Sequence, residues 1–130
     1  MKSLIVIFLL ATVNVDLKTA REFYLNAYNS KEAAIQLKDF TAARQTACIE
    51  AYHGAALTFL AKHSFNPYKK LSYLNDGLKN LNNAVVKDST DVEIRFLRFS
   101  VEENIPSFIP FTSHTKTDKA FLIKYLNTTH

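Results

Sequence analysis

Apolar residues recur every three or four positions along most of this chain, the spacing that lays a stripe down one side of a helix. Leu17, Ala20, Tyr24, Ala27 and Tyr28 begin the pattern, with Asp16 placed to cap it. The stripe can continue through Ala34 and Leu37 as far as Lys38–Thr41, with Asn29-Ser30 as a kink or break. A second helix is predicted from Ala42 to His63, striped by Cys48, Tyr52, Ala55, Ala56, Phe59 and Leu60. It is rich in alanine and carries Gly54, which costs about 1 kcal/mol of helix propensity against alanine. A glycine kept there points to a neighbouring helix packed close against it. Asn66-Pro67 starts a third helix, because asparagine caps well and proline tolerates the first helical position. Leu71, Leu74, Leu78, Leu81 and Val85 stripe that helix to near Lys87.

Thr90-Asp91-Val92-Glu93 fits a capping box for a fourth helix that runs to about Glu103. Val92, Ile94, Phe96, Leu97, Phe99 and Val101 make it apolar on more than one side, which predicts the central, most buried helix. Two prolines lie in residues 106–116, which read as a loop with Phe108, Ile109 and Phe111 pinned onto the bundle. Thr117-Asp118 is placed to cap a last short helix, Lys119 to Leu126. The expectation is an all-α fold of about five helices in antiparallel hairpins, forming a single domain over residues 16–130. Only two glycines and three prolines occur in 130 residues, which suits helices better than a turn-rich β fold.

Residues 1–15 break the pattern. Met1-Lys2 is followed by an apolar run from Leu4 to Val13, interrupted only by Thr12. A basic start and a short apolar run are the marks of a secretory leader. The run falls short of the roughly 20 apolar residues that a membrane-spanning helix needs. The expectation is therefore a signal peptide cleaved between Ala11 and Asp16, a periplasmic or secreted protein, and no stable membrane insertion afterwards. Cys48 is the sole cysteine, so no intramolecular disulfide forms. The net charge of +4 is mild, and the basic residues are spread along the chain rather than gathered on one face, which argues against nucleic acid as a partner.

Candidate chemistry is sparse. His53 and His63 are ten residues apart, so on one helix they stand about 80° apart around the axis and about 15 Å along it. They cannot share a metal, and no metal or cofactor site is predicted. His63 falls in a last helical turn, where imidazole can bond free carbonyls. His53, beside Tyr52, is placed to line a cleft. Arg95 and Arg98, at i and i+3, suit a carboxylate or phosphate. The structural alternative is an internal ion pair with Glu50, Asp76, Glu102 or Glu103. Tyr68, Lys69, Lys70 and Tyr73 mix aromatic and basic character at the start of the third helix. They suit either an anion-binding corner or a solvated face.

The stretch from Tyr73 to Glu103 resembles a tetratricopeptide-type repeat. Gly77, Leu81 and Ala84 have the small, large, small spacing of such a repeat's second helix, and Ser89 stands where a proline is usual. The next helix, opening at Asp91, is similar to the first helix of a following repeat. The likeness covers about one and a half units. It implies stacked hairpins with a groove for a protein or peptide partner. The whole chain also resembles the small exported helical proteins of bacteria, a likeness that implies no function. The expectation is a non-enzymatic binding or structural module, with Tyr52, His53, Tyr68, Arg95 and Arg98 as candidate binding residues. The alternative is a small anion-binding protein or enzyme that uses Arg95 and Arg98 with His53 or His63.

Overall fold

The structure, a computed structural model, describes residues 16–129. The leader expected at residues 1–15 lies outside the described residues. All regular structure among the described residues is helical, in six helices rather than five. They are α1 (residues 16–27), α2 (Lys31–Phe40), α3 (Ala47–His63), α4 (Pro67–Lys87), α5 (Val92–Glu103) and α6 (Thr115–Thr129).

The sixth helix comes from Ser30. Its hydroxyl accepts the N–H of Ala33 and so starts α2, which turns the expected kink into a break. α3 begins at Ala47, five residues later than predicted. Thr41 closes α2 with its hydroxyl on the Leu37 carbonyl at 2.7 Å, Arg44 takes a left-handed φ of 49°, and the Thr46 hydroxyl caps the Ile49 N–H. Alanine favours helix at positions 42 and 43, but three polar side chains at 41, 44 and 46 make a tight turn instead.

α3 is the central helix, a role predicted for the fourth. It packs on α2, α4 and α5, and twelve of its seventeen residues are buried. α5 leaves Phe96 half exposed, because its third side meets solvent rather than another helix. α1 closes the remaining side of α3 through ring contacts of Tyr24 with Tyr52 and Phe59.

α3 and α4 form an antiparallel hairpin joined at three levels. Lys87 reaches the buried Glu50 carboxylate at one end (2.9 Å), and Lys70 bonds the Ala61 carbonyl at the other (3.1 Å). Between them the two glycines meet. A Cβ on Gly54 would lie 2.7 Å from the Gly77 carbonyl oxygen, and one on Gly77 would lie 2.7 Å from that of Gly54. Neither glycine has positive φ, so both are needed for space and not for backbone conformation. The Asn66-Pro67 start of α4 is as predicted, with the asparagine side chain accepting the N–H groups of Tyr68 and Lys69.

Three local expectations are corrected. Asp91, not Thr90, caps α5: its shorter reach to the Ile94 N–H leaves Glu93 free to turn toward α1. Phe108 is exposed, and only Ile109 and Phe111 lie partly against the bundle. The loop is held instead by Glu102, whose buried carboxylate accepts the His114 backbone N–H at 2.5 Å and contacts the imidazole. Finally α6 starts at Thr115 and reaches Thr129, and Asp118 is not its cap but a fully buried carboxylate.

Candidate functional site

Four of the five residues singled out from the sequence point inward. Tyr52 donates to the Glu93 carboxylate, which Arg21 grips from the other side with two hydrogen bonds of 2.7 Å. The Arg21 contact holds the Glu93 carboxyl below its ordinary range, while burial and then Glu93 push the Tyr52 phenol upward. Cys48, one turn away, is buried, and its thiol is pushed up chiefly by burial, so it is held neutral. The cluster ties α1, α3 and α5 together, and no side chain in it is prepared for nucleophilic work.

His53 is 5% exposed, so it faces neither a groove nor solvent. The Arg44 guanidinium lies 3.1 Å from Nε2 and can only donate, so Nε2 accepts and Nδ1 carries the proton. Nδ1 then donates to the Thr41 hydroxyl at 3.0 Å, which in turn donates its O–H to the Leu37 carbonyl. This chain explains the left-handed turn at Arg44, which brings the guanidinium back onto α3. Burial and then the Arg44 charge lower the affinity of His53 for a proton below the ordinary 6.5. A depressed pKa contributes stability that is complete above the unfolded value and is lost as pH falls, since the unfolded chain then takes up a proton that the fold refuses. The thermal midpoint is expected to drop between about pH 7.5 and about pH 5.5, and His53→Gln to flatten that slope. An equal slope in the variant would place the titration elsewhere.

Arg95 and Arg98 do hold a carboxylate, and it is the protein's own. Asp118 accepts from Arg98 Nη2 at 2.7 Å and Nε at 2.8 Å, and from Arg95 Nη1 at 3.0 Å. The acid is none of Glu50, Asp76, Glu102 and Glu103. Asn82 takes a further Arg98 bond, and Arg95 lies over the Phe121 ring. His53 and His63 have other partners, so the arginine–histidine site of the alternative reading is not assembled. His63 bonds the Ala27 carbonyl at the end of α1 (3.1 Å), a structural role as predicted. Among the described residues no group of three or more His, Cys, Asp and Glu side chains is placed to hold a metal.

Tyr68 is the exception, at 86% exposed. It stands on the α3–α4 corner beside Phe65, which projects fully into solvent, and Leu71, about half exposed. Next to this corner lies a groove of about 340 Å³ between α2, the end of α3 and the start of α4. Its floor includes Leu60 and Tyr73, Phe65 forms one lip, and Lys31, Lys38 and Lys69 stand around it. Ile35, His63, Ser64 and Asn66 also line it, and no carboxylate does. Lys70 does not join it, because its ammonium bonds carbonyls at the end of α3.

No family model matches the chain, and comparison with curated proteins and with solved structures finds no match for it. A second cleft, of about 370 Å³, lies between α4 and the 110–114 loop, with Asn75, Lys79 and Asn83 at its edge and His114 inside. Its Glu102 and Asn82 are already engaged in holding His114 and Arg98.

One side of the α2–α3–α4 groove, Lys69 and Tyr73, was legible in the sequence, and the α2 side was not. The signal was present: Lys31, Ile35 and Lys38 are spaced four and three, so they share one face, about 120° around the helix from the buried Ala33, Ala34 and Leu37.

Proposed function

We propose that this protein is a non-enzymatic helical binding module, exported after removal of a leader in residues 1–15, that takes a segment of a protein partner in the α2–α3–α4 groove. The observation that carries the reading is the apolar corner at the groove. Phe65 and Tyr68 are exposed to solvent at 101% and 86%, and they stand beside a concavity lined by Leu60, Ile35 and Tyr73. Large side chains left in water next to a concavity are the usual mark of an interaction surface. The stacked-hairpin reading is supported by Gly77, Leu81 and Ala84, all buried, and by α5 packing on both α3 and α4. A tetratricopeptide-like hairpin stack of this kind presents grooves to partner segments. Export is supported by Lys2 and the Leu4–Val13 run.

Selection of peptides from a random library on the full chain tests the reading. The selected peptides should bind a Phe65→Ser/Ile35→Glu variant at least about tenfold more weakly, at an unchanged melting temperature, as expected for loss of an apolar anchor. Peptides that bind parent and variant equally would overturn the assignment of the groove.

A further inference from the structure

The chemistry of the groove narrows its occupant, on the reading that the groove is the binding surface. Three lysines surround a floor with no carboxylate in it. Lys31 and Lys69 make no ion pair among the described residues, and Lys38 has only its neighbour Asp39 at 3.9 Å. Two of these lysines work against helix stability. Lys31 is the first residue of α2 and Lys69 the third of α4, and a cation in a first helical turn opposes the helix dipole. The first turn of α4 contains no acid to compensate, whereas in α2 Glu32 follows Lys31. Positive side chains and two helix N-termini therefore converge on one concave surface, and the chain as a whole is positive at +4.

The apolar part limits the choice further. A free anion would satisfy the lysines but leave Phe65 and Ile35 in water. A flat anionic bilayer would cover Phe65, Tyr68 and the lysines but would not enter the concavity as far as the half-buried Tyr73. A polypeptide satisfies both demands, with carboxylates at the rim and one bulky apolar side chain seated between Ile35, Phe65 and Tyr73. We infer that the groove binds an acidic segment of a partner protein that carries a bulky apolar anchor residue.

The inference is tested on the peptides selected above. They should be enriched in Asp and Glu around a Leu, Ile or Phe. Binding should weaken about tenfold or more in Lys31→Glu/Lys69→Glu, and as salt is raised from about 0.05 to about 0.5 M, as rim charges do. Replacing the acids of a selected peptide with amides should reproduce the loss. Peptides with no acidic bias and no salt dependence that still lose binding in Phe65→Ser/Ile35→Glu would overturn this inference and leave the groove assignment standing. No selectable peptide, or peptides insensitive to every groove substitution, would overturn both. Cosedimentation of the full chain with phosphatidylserine vesicles, absent with phosphatidylcholine vesicles and lost in Phe65→Ser, would identify a membrane surface as the occupant and overturn the peptide.

Discussion

Replacing Gly54 with alanine is expected to destabilise the protein by about 2 kcal/mol or more and to lower its melting temperature by roughly 8 °C. Two opposed effects decide the sign. Alanine gains about 1 kcal/mol of helix propensity over glycine in a helix interior. Against this, the new methyl group would lie 2.7 Å from the Gly77 carbonyl oxygen, 2.9 Å from Leu81 Cγ and 3.0 Å from the Leu81 nitrogen. Two of these three atoms are backbone, so no side-chain rotation relieves the contact and α4 must shift as a body. The shift would disturb the best-packed interface of the molecule. Gly77→Ala should behave alike, because its methyl would meet the Gly54 carbonyl at 2.7 Å and the Thr58 methyl at 2.6 Å. The double variant should cost less than the sum, since the second methyl enters a gap opened by the first. Val86→Ala, on the exposed side of the same helix, should change stability little. Thermal and urea unfolding of the four variants measure this, and a neutral or stabilising Gly54→Ala would contradict the close crossing.

Asp118→Ala is expected to cost about 3–5 kcal/mol, the range for removing one partner from a buried ion pair. Its carboxylate is fully buried, and the two arginines that it holds are 14% and 7% exposed. Without it, two guanidiniums remain in a poorly solvated space with only the Ser89 carbonyl and the Asn82 amide as acceptors. Asp118→Asn keeps the shape but removes the charge and turns an N–H₂ toward the arginines, so it should be nearly as damaging. The loss should also be local at first. α6 packs on α5, and Asp118 is the buried polar link between them, so amide protons of residues 115–129 should exchange faster before those of α3 and α4 do. Uniform loss of protection over all helices would mean that α6 is integral to the core. An Asp118→Leu/Arg98→Met variant should recover part of the stability, because only Arg95, which keeps the Ser89 carbonyl and the Phe121 ring, then loses its carboxylate.

Most of the architecture was legible in the sequence, and the parts that were not share a cause. The third helix was readable because its stripe, its proline start and its asparagine cap all agree. The close crossing was readable from a glycine that helix propensity alone disfavours. What went unread depends on side chains reaching across the fold. Asp118 sits where a cap belongs, and nothing local reveals that Arg95 and Arg98 come from another helix to meet it. Ser30 and Thr46 are ordinary polar residues in an apolar pattern until their hydroxyls take backbone N–H groups. His53 suggests a cleft because a polar group on an apolar helix suggests function; in the fold it bonds Thr41 and Arg44, while Tyr52 bonds Glu93 in a separate cluster. The groove was half readable because its two sides lie on helices about thirty residues apart, and only folding sets the Lys31–Lys38 face beside Lys69 and Tyr73.

Titration of isotopically labelled protein with an acidic, anchor-bearing peptide, followed by amide chemical shifts, should locate the bound peptide on the α2–α3–α4 groove. The shifts should concentrate on Ile35, His63, Phe65, Lys69 and Tyr73, and Lys31→Glu/Lys69→Glu should need at least about tenfold more peptide to reach the same shifts. Shifts centred on Asn75, Asn83 and His114 would move binding to the other cleft and contradict the account.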